Sequence, residues 1–379
     1  MSKLGVGVLG CGNISKAYLT LVPLFKGIEV RAVADVNSIA ANEKADEFKV
    51  RALSVDDLLR ADDINIVVNL TIPSAHFSTT RKILEAGKHV YSEKPLVLSL
   101  EEGQQLSVLA AENGLRVGSA PDTFLGGAHQ QARALIDQGL LGEIISGTAH
   151  VMNHGMEDWH PNPDFFFLPG AGPILDIGPY YITNLIQLIG PIKRVAALTS
   201  AASAFRQITS QPRSGEKIPV KTPTNIHALL EFEKGATVTL STSWDVWAHR
   251  HENMELYGTE GSLYIPDPNF FGGDVKLINK DGSVRERSVF NHPFSVPNMD
   301  QSDGKIANYR AAGLADMAQA IAQNRAHRCS VEMAIHAVDV MTSVLKSGEQ
   351  KEFVPIRTTC ERPAALLPQD ATALLVEEL

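Results

Sequence analysis

Short apolar runs and longer amphipathic stretches alternate without a break through the first 120 residues, and this alternation restricts the fold more than any other feature. The apolar runs are LGVGVLG at 4–10, IEVRAVAD at 28–35, VRAL at 50–53, INIVVNL at 64–70, HVYSE at 89–93 and LRVGSA at 115–120. Between them lie a stretch starting near 14, then NSIAANEKADEF, SVDDLLR, HFSTTRKILEAG and SLEEGQQLSVLAAENG, whose apolar residues recur at helical spacing. Strands that are apolar throughout are buried on both faces, and a repeated strand–helix–strand order makes successive strands parallel. The first part is therefore expected to be α/β, a Rossmann doubly wound parallel sheet.

The period changes after Asp122, which predicts two domains, 1–122 and 123–379. The second opens on a helix, AHQQARALIDQGLLG, then a strand, IISGTAHVMN, an aromatic and proline-rich loop, EDWHPNPDFFFLPGAGP, and a helix, YYITNLIQLIG. From His227 to Trp244 the chain alternates as antiparallel strands do: Ala228, Leu230 and Phe232 share one face of the first, and Val238, Leu240, Thr242 and Trp244 one face of the second. Further strands are expected at MELYG, SLYIPD and VKLIN, and alanine-rich helices at 306–347, whereas 211–222 reads as a polar, mobile loop. The second domain is thus expected to be α+β with a large, mostly antiparallel open sheet.

With 379 residues the chain exceeds what one core usually serves. Its net charge of −9 with dispersed basic residues argues against nucleic acid and against a polybasic membrane patch. No apolar run approaches the roughly 20 residues of a membrane helix, no leader pattern opens the sequence, and three scattered cysteines make no disulfide framework. These features predict a cytoplasmic protein.

Gly10-Cys11-Gly12-Asn13-Ile14-Ser15 follows the first strand and opens the first helix. Glycines let the backbone approach a pyrophosphate, and the amides and dipole at the helix N-terminus face it. Gly10, Gly12, Asn13 and Ile14 are accordingly expected to hold a dinucleotide, although Ser15 stands where the fingerprint has a third glycine. Asp35 ends the second strand, where an acid binds the adenosine ribose hydroxyls and repels a ribose phosphate, so NAD is expected, with NADP possible. His150, His154, His160 and Asp158 include no histidine pair spaced i, i+4 on a helix, and no metal is expected. Asn153, Trp159 and His160 instead suit a sugar pocket, in which an aromatic face covers a ring and polar groups read its hydroxyls.

Over nearly its whole length the chain resembles the Gfo/Idh/MocA oxidoreductases, the glucose-fructose oxidoreductase and inositol dehydrogenase type. The likeness is carried by GCGNIS, by TIPSAH at 71–76, by GKHVYSEKP at 87–95, by GPILDIGPY at 172–180 and by YGTEGSL at 257–263. It implies that Thr71, Pro73, Glu93 and Lys94 lie against the cofactor, with His76 either there or packed in its helix. It also implies that Lys94, Asp176 and Tyr180 form the catalytic set, in a cleft between the domains. Oxidation of a secondary alcohol needs a base at the hydroxyl as hydride leaves the carbon, and a nearby ammonium lowers a tyrosine pKa from its usual ~10. Tyr180 is then the acid/base, Lys94 its tuner and substrate anchor, and Asp176 an acceptor for a substrate hydroxyl or for Lys94. Asp176 and Tyr180 would share one face of a helix beginning near Asp176, and Tyr181 would point roughly 100° away. The resemblance further implies a sugar, sugar derivative or cyclitol as substrate and a homodimer or homotetramer. An NAD-dependent glycosidase of the same fold and a non-catalytic NAD(P)-binding regulator are the rival readings.

Overall fold

Two sheets organise the computed structural model, which describes residues 3–285, 290–301 and 304–377. The chain divides into a first unit, Met1–Gln130 with Asn291–Ile335 and Pro363–Leu379, and a second, Gln131–Phe290 with His336–Arg362.

The first unit is built on β1 (Leu4–Leu9), α1 (Asn13–Leu21), β2 (Ile28–Ala34), α2 (Ser38–Phe48), β3 (Arg51–Leu53), α3 (Val55–Arg60), β4 (Ile66–Asn69), α4 (Pro73–Glu85), β5 (His89–Ser92), α5 (Leu100–Glu112) and β6 (Val117–Ser119). The six strands are parallel in the order β3-β2-β1-β4-β5-β6. Val6, Val8, Ile66, Val67 and Val68 are wholly inaccessible, as central strands covered on both faces require. Helices start where a short polar side chain accepts an otherwise orphaned amide: Asn37 from Ile39, Ser54 from Asp57 and Ser99 from Glu102. Chain order reverses between β1 and β4, the point at which such sheets open a crevice at their carboxyl edge.

The second unit contains α6 (Gly127–Asp137), shared at its start with the first, then β7 (Ile144–Met152), α7 (Pro173–Asp176), α8 (Gly178–Ile189), β8 (Ile192–Ser200), β9 (Phe205–Gln207), β10 (Lys217–Pro219), β11 (Asn225–Phe232), β12 (Thr237–Ser243), β13 (Met254–Gly258), β14 (Gly261–Ile265) and β15 (Lys276–Asn279). Its eight-stranded sheet runs β15-β14-β13-β7-β12-β11-β8 and ends on β18 (Val354–Pro355); every pairing is antiparallel except β7 with β12. Ala149, Val195, Leu230, Val238, Leu240, Leu256 and Leu263 form its buried face. Every residue of α8 is buried, which accounts for its nearly uniform apolar sequence.

Two expectations need correction. The segment 211–222 is not a polar, mobile loop: β10 lies within it and pairs with β9, and Ile218 is wholly buried with Ile208, Met156, Phe167 and Trp244. Three apolar side chains, Ile208, Ile218 and Val220, anchor the hairpin despite its polar majority. Nor does the division follow the sequence as 1–122 and 123–379 do. The remaining elements, β16 (Met299–Gln301), β17 (Gly304–Ile306), α9 (Ala312–Gln323), the start of α10 (Val331–Gln350) and α11 (Pro368–Leu374), return to the first unit. There Ser119 N–H donates to the Cys329 carbonyl at 3.2 Å and Lys26 N–H to the Leu374 carbonyl at 2.7 Å.

The return is fastened by Asp122, 1% exposed, whose Oδ2 accepts the amides of Ala311 at 2.9 Å and Gly313 at 3.0 Å at the start of α9. Burial pushes its carboxyl up to about 6, with the Arg310 charge and the two amides working in the opposite sense. The ordinary aspartate value is ~3.9, so between about pH 4 and 6 the folded chain keeps a proton that the unfolded chain releases. Stability should therefore fall as pH rises through that window, by up to about 3 kcal/mol, and stay reduced above it. In Asp122→Asn this slope should vanish, read as melting temperature against pH; an unchanged slope would remove Asp122 as its source.

Candidate active site

The first unit gathers one set of predicted residues on the carboxyl edge of β1, β2, β4 and β5. Gly10 has φ +108°, and a Cβ there would lie 2.6 Å from the Leu70 carbonyl oxygen, so both backbone and space demand glycine. A Cβ at Gly12 would meet nothing within 4 Å: this residue caps α1 and leaves open ground before the amides of Asn13 and Ile14. Ser15 is fully buried and its hydroxyl donates to the Gly12 carbonyl at 2.6 Å, which explains why serine serves in place of the third glycine.

Asp35 is held by both oxygens, Oδ2 accepting from Cys11 N–H at 2.7 Å and Oδ1 from Asn37 N–H at 2.8 Å. Beside it opens a cavity of about 490 Å³ lined by Asp35, Val36, Ser38, Ala41, Leu53 and Ser54. Open glycine, helix amides, tethered acid and adjoining cavity fit the pyrophosphate and adenosine of a dinucleotide. Burial, and then the Asp35 charge, push the Cys11 thiol up to about 11, away from the thiolate form.

At the end of β4, buried Asn69 accepts the amide and hydroxyl of Thr71 at 3.2 and 2.7 Å and donates to the His76 carbonyl and Thr80 hydroxyl. Pro73 opens α4. His76 is 1% exposed, with Nδ1 2.7 Å from the Pro95 carbonyl and Nε2 2.9 Å from the Thr71 carbonyl, so it braces these loops. Glu93 likewise looks inward, accepting from the Tyr18 hydroxyl at 2.9 Å and from Lys94 N–H at 3.0 Å. Lys94 itself is half-buried and precedes a cis proline. Val36 and Ile72, 96% and 68% exposed, add apolar surface beside Asp35 and Thr71. Isolated apolar residues after strands carry no sequence pattern, so neither is legible in the chain alone.

The second unit holds the other set. Because β7 and β12 are parallel, with Met152 opposite Ser243, the loops that leave them start side by side. Asn153 N–H donates to the Ser243 carbonyl at 2.9 Å, Val246 N–H to the Asn153 carbonyl at 3.0 Å, and Asn153 Oδ1 accepts from Gly155 N–H. Trp159 is 63% exposed and meets the His160 ring edge-on; His160 packs in turn against Phe165 and Phe166. The loop then runs beside 221–222, Lys221 N–H donating to the Phe167 carbonyl at 2.8 Å, before entering α7. Among the described residues no group of three or more His, Cys, Asp or Glu side chains is placed to hold a metal.

One continuous helix was expected to carry Asp176 and Tyr180. Instead Asp176 ends α7 and Tyr180 lies in the first turn of α8, with Ile177 joining the two in right-handed geometry and accepting Tyr180 N–H at 3.1 Å. Asp176 is half-buried and Tyr180 is 6% exposed. Tyr181 is excluded as a base: its buried hydroxyl contacts the His150 carbonyl, Asp267 and Asn253, and burial, then Asp267, push its pKa well above the usual tyrosine value. No sequence pattern announces the buried Arg206 and Glu157 and the half-buried Asp245, which meet beneath the aromatic loop.

Two family models match the chain: an oxidoreductase family with an NAD-binding Rossmann fold over residues 4–120, and a GFO/IDH/MocA C-terminal domain over 129–264. The levoglucosan dehydrogenase of Pseudarthrobacter phenanthrenivorans is 28% identical over 80% of this chain and 83% of its own. An uncharacterised oxidoreductase of Schizosaccharomyces pombe is 26% identical over 58% of this chain, which spans 64% of that protein's length. A solved structure of a levoglucosan dehydrogenase with NADH and L-sorbose superposes with a TM-score of 0.78 at 21% identity, over 94% of this chain and all of that one.

The two glycines should separate by experiment. Gly10→Ala is expected to cost more than about 1 kcal/mol of stability from strain and clash. Gly12→Ala should leave the melting temperature unchanged and weaken NAD binding about tenfold or more by blocking backbone approach, measured by calorimetry; equal melting-temperature losses would contradict this division.

Proposed function

The chain belongs to the Gfo/Idh/MocA oxidoreductase family, and on that premise we propose that it transfers a hydride between NAD and a secondary alcohol of a sugar, sugar derivative or cyclitol. The observation that carries the reading is the first unit's cradle, in which Gly12 is open and Asp35 is fixed by two amides. Two fixed carboxylate oxygens suit a ribose diol and repel a ribose phosphate, which favours NAD over NADP. Bound NAD supplies the hydride acceptor.

The protein's own part is to hold the carbinol and take its proton. Tyr180 receives the hydroxyl proton during oxidation and returns it during reduction. Lys94 anchors the substrate oxygen by donating to it, and Asp176 accepts from a neighbouring hydroxyl, which orients the ring. Trp159 offers an exposed face to the apolar side of that ring, while His160 and Asn153 read hydroxyls. Homodimers or homotetramers form through the open sheet face, on which Leu198, Leu229 and Phe353 are 69%, 46% and 62% exposed. Sedimentation would show the assembly size.

Purified protein with NAD and a panel of sugars and inositols should accumulate reduced nicotinamide, followed by absorbance. Silence across the panel, or release of an aglycone without net reduction, would overturn the dehydrogenase reading. With the substrate found, Tyr180→Phe should lower kcat by about 100-fold or more; undiminished turnover would remove Tyr180 from proton transfer. Trp159→Ala should raise KM and leave the Kd for NADH unaltered, whereas an unchanged KM would take the aromatic loop out of the substrate site. Asp35→Ser should narrow the preference for NAD over NADP.

A further inference from the structure

Arg206 lies at the centre of the short strand β9, 8% exposed, and spends every face of its guanidinium on other parts of the second unit. Its Nε donates to Glu157 Oε1, and Nη1 to Asp245 Oδ1 at 3.0 Å. Its Nη2 donates to the carbonyl oxygens of His154 at 2.5 Å and Trp244 at 2.8 Å, and the group lies 5.7 Å from the Phe167 ring centre. His154 and Glu157 belong to the loop after β7; Trp244 and Asp245 belong to the loop after β12. One planar cation therefore ties together both loops that leave the parallel pair.

The tie extends outward on each side. Asp245 Oδ2 accepts from the Thr224 hydroxyl at 2.7 Å and Ala202 N–H at 3.2 Å. The Glu157 carbonyl accepts the amides of Thr209 and Ser210, both at 2.9 Å, and the Ser210 hydroxyl donates to the His160 carbonyl at 2.6 Å. The β9/β10 hairpin thus grips the backbone on both sides of Trp159. Trp159 is 63% exposed and Trp247 is 82% exposed, with Trp247 stacked on His154, so the outer rings of these loops have little packing of their own to fix them. A buried ion pair adds little stability over a well-packed apolar substitute, but its geometry is directional.

We propose that Arg206 is the positioning residue of the substrate loop: it touches no substrate, and through His154 and Glu157 it fixes where Trp159 and His160 stand. This rests on the reading of Trp159 and His160 as substrate contacts. A lysine keeps the charge but, as a point donor, cannot meet two carboxylates and two carbonyls in one plane.

Steady-state kinetics of the full-length protein with the best sugar of the panel test the proposal. Arg206→Lys should raise the sugar KM by about tenfold, with kcat within about twofold of the parent and the Kd for NADH unchanged, because uniform substrate binding is lost and chemistry is not. All three tryptophans of the chain, Trp159, Trp244 and Trp247, lie on these loops, so intrinsic fluorescence titrated with sugar reports the same affinity loss without turnover. Should Arg206→Lys not fold, Asp245→Asn, which weakens one arm of the tie, is expected to raise KM severalfold. A sugar KM that stays at the parent value in whichever variant folds, while Trp159→Ala raises it, overturns the positioning role and leaves the substrate loop in place. A parallel fall of kcat and NADH affinity with KM overturns it as well, showing a general structural loss. No effect of Trp159→Ala overturns the underlying reading instead.

Discussion

The parallel hydrogen-bond ladder governs this protein's chemistry-bearing surfaces. Parallel strands must be joined by crossovers, so their carboxyl ends emerge along one edge and their loops face the same way. In the first unit that edge carries Gly10 to Ile14, Asp35, Thr71 and Lys94, drawn from strands far apart in sequence but adjacent in the sheet. The remaining details follow from that adjacency. Gly10 must be glycine because Leu70, just past the end of β4, passes within contact distance, and Asp35 can reach Cys11 because β2 lies beside β1.

The second unit repeats the device once. Its sheet is antiparallel apart from β7 and β12, and that single parallel pairing sends two long loops off the same end. A loop rich in proline and glycine cannot hold an aromatic ring by itself, and here a separate apolar cluster and a buried cation hold it from below. The polar network and the small core are complementary: the core excludes water, and within it the Arg206 contacts have fixed directions. No described helix is long and apolar enough to cross a membrane.

Much of this was legible in the chain itself. The strand and helix alternation, the glycine loop and Asp35 are local patterns, and a pattern written within about 35 residues needs no tertiary knowledge to read. Less legible were elements whose stability is borrowed. The β9/β10 hairpin has a polar majority and forms because Ile208, Ile218 and Val220 find Trp244 and Phe167. Nor does the sequence around His76 announce that both its ring nitrogens meet backbone carbonyls, those of Thr71 and Pro95. The break between α7 and α8 has a local cause, Pro179 in the first turn of α8, which has no amide with which to continue the ladder.

The sequence by itself determined the class of fold, the glycine turn after the first strand and the family, because periodicity and short-range motifs record local backbone requirements directly. Tertiary structure alone decided that Asn291–Ile335 and Pro363–Leu379 return to the first unit, that Asp122 caps α9, and that Arg206 joins Glu157 and Asp245. Those contacts unite residues 39 to 191 positions apart. Nothing in a lone aspartate or arginine announces its partner, since the free energy of a buried pair belongs to the geometry of both groups and not to either one.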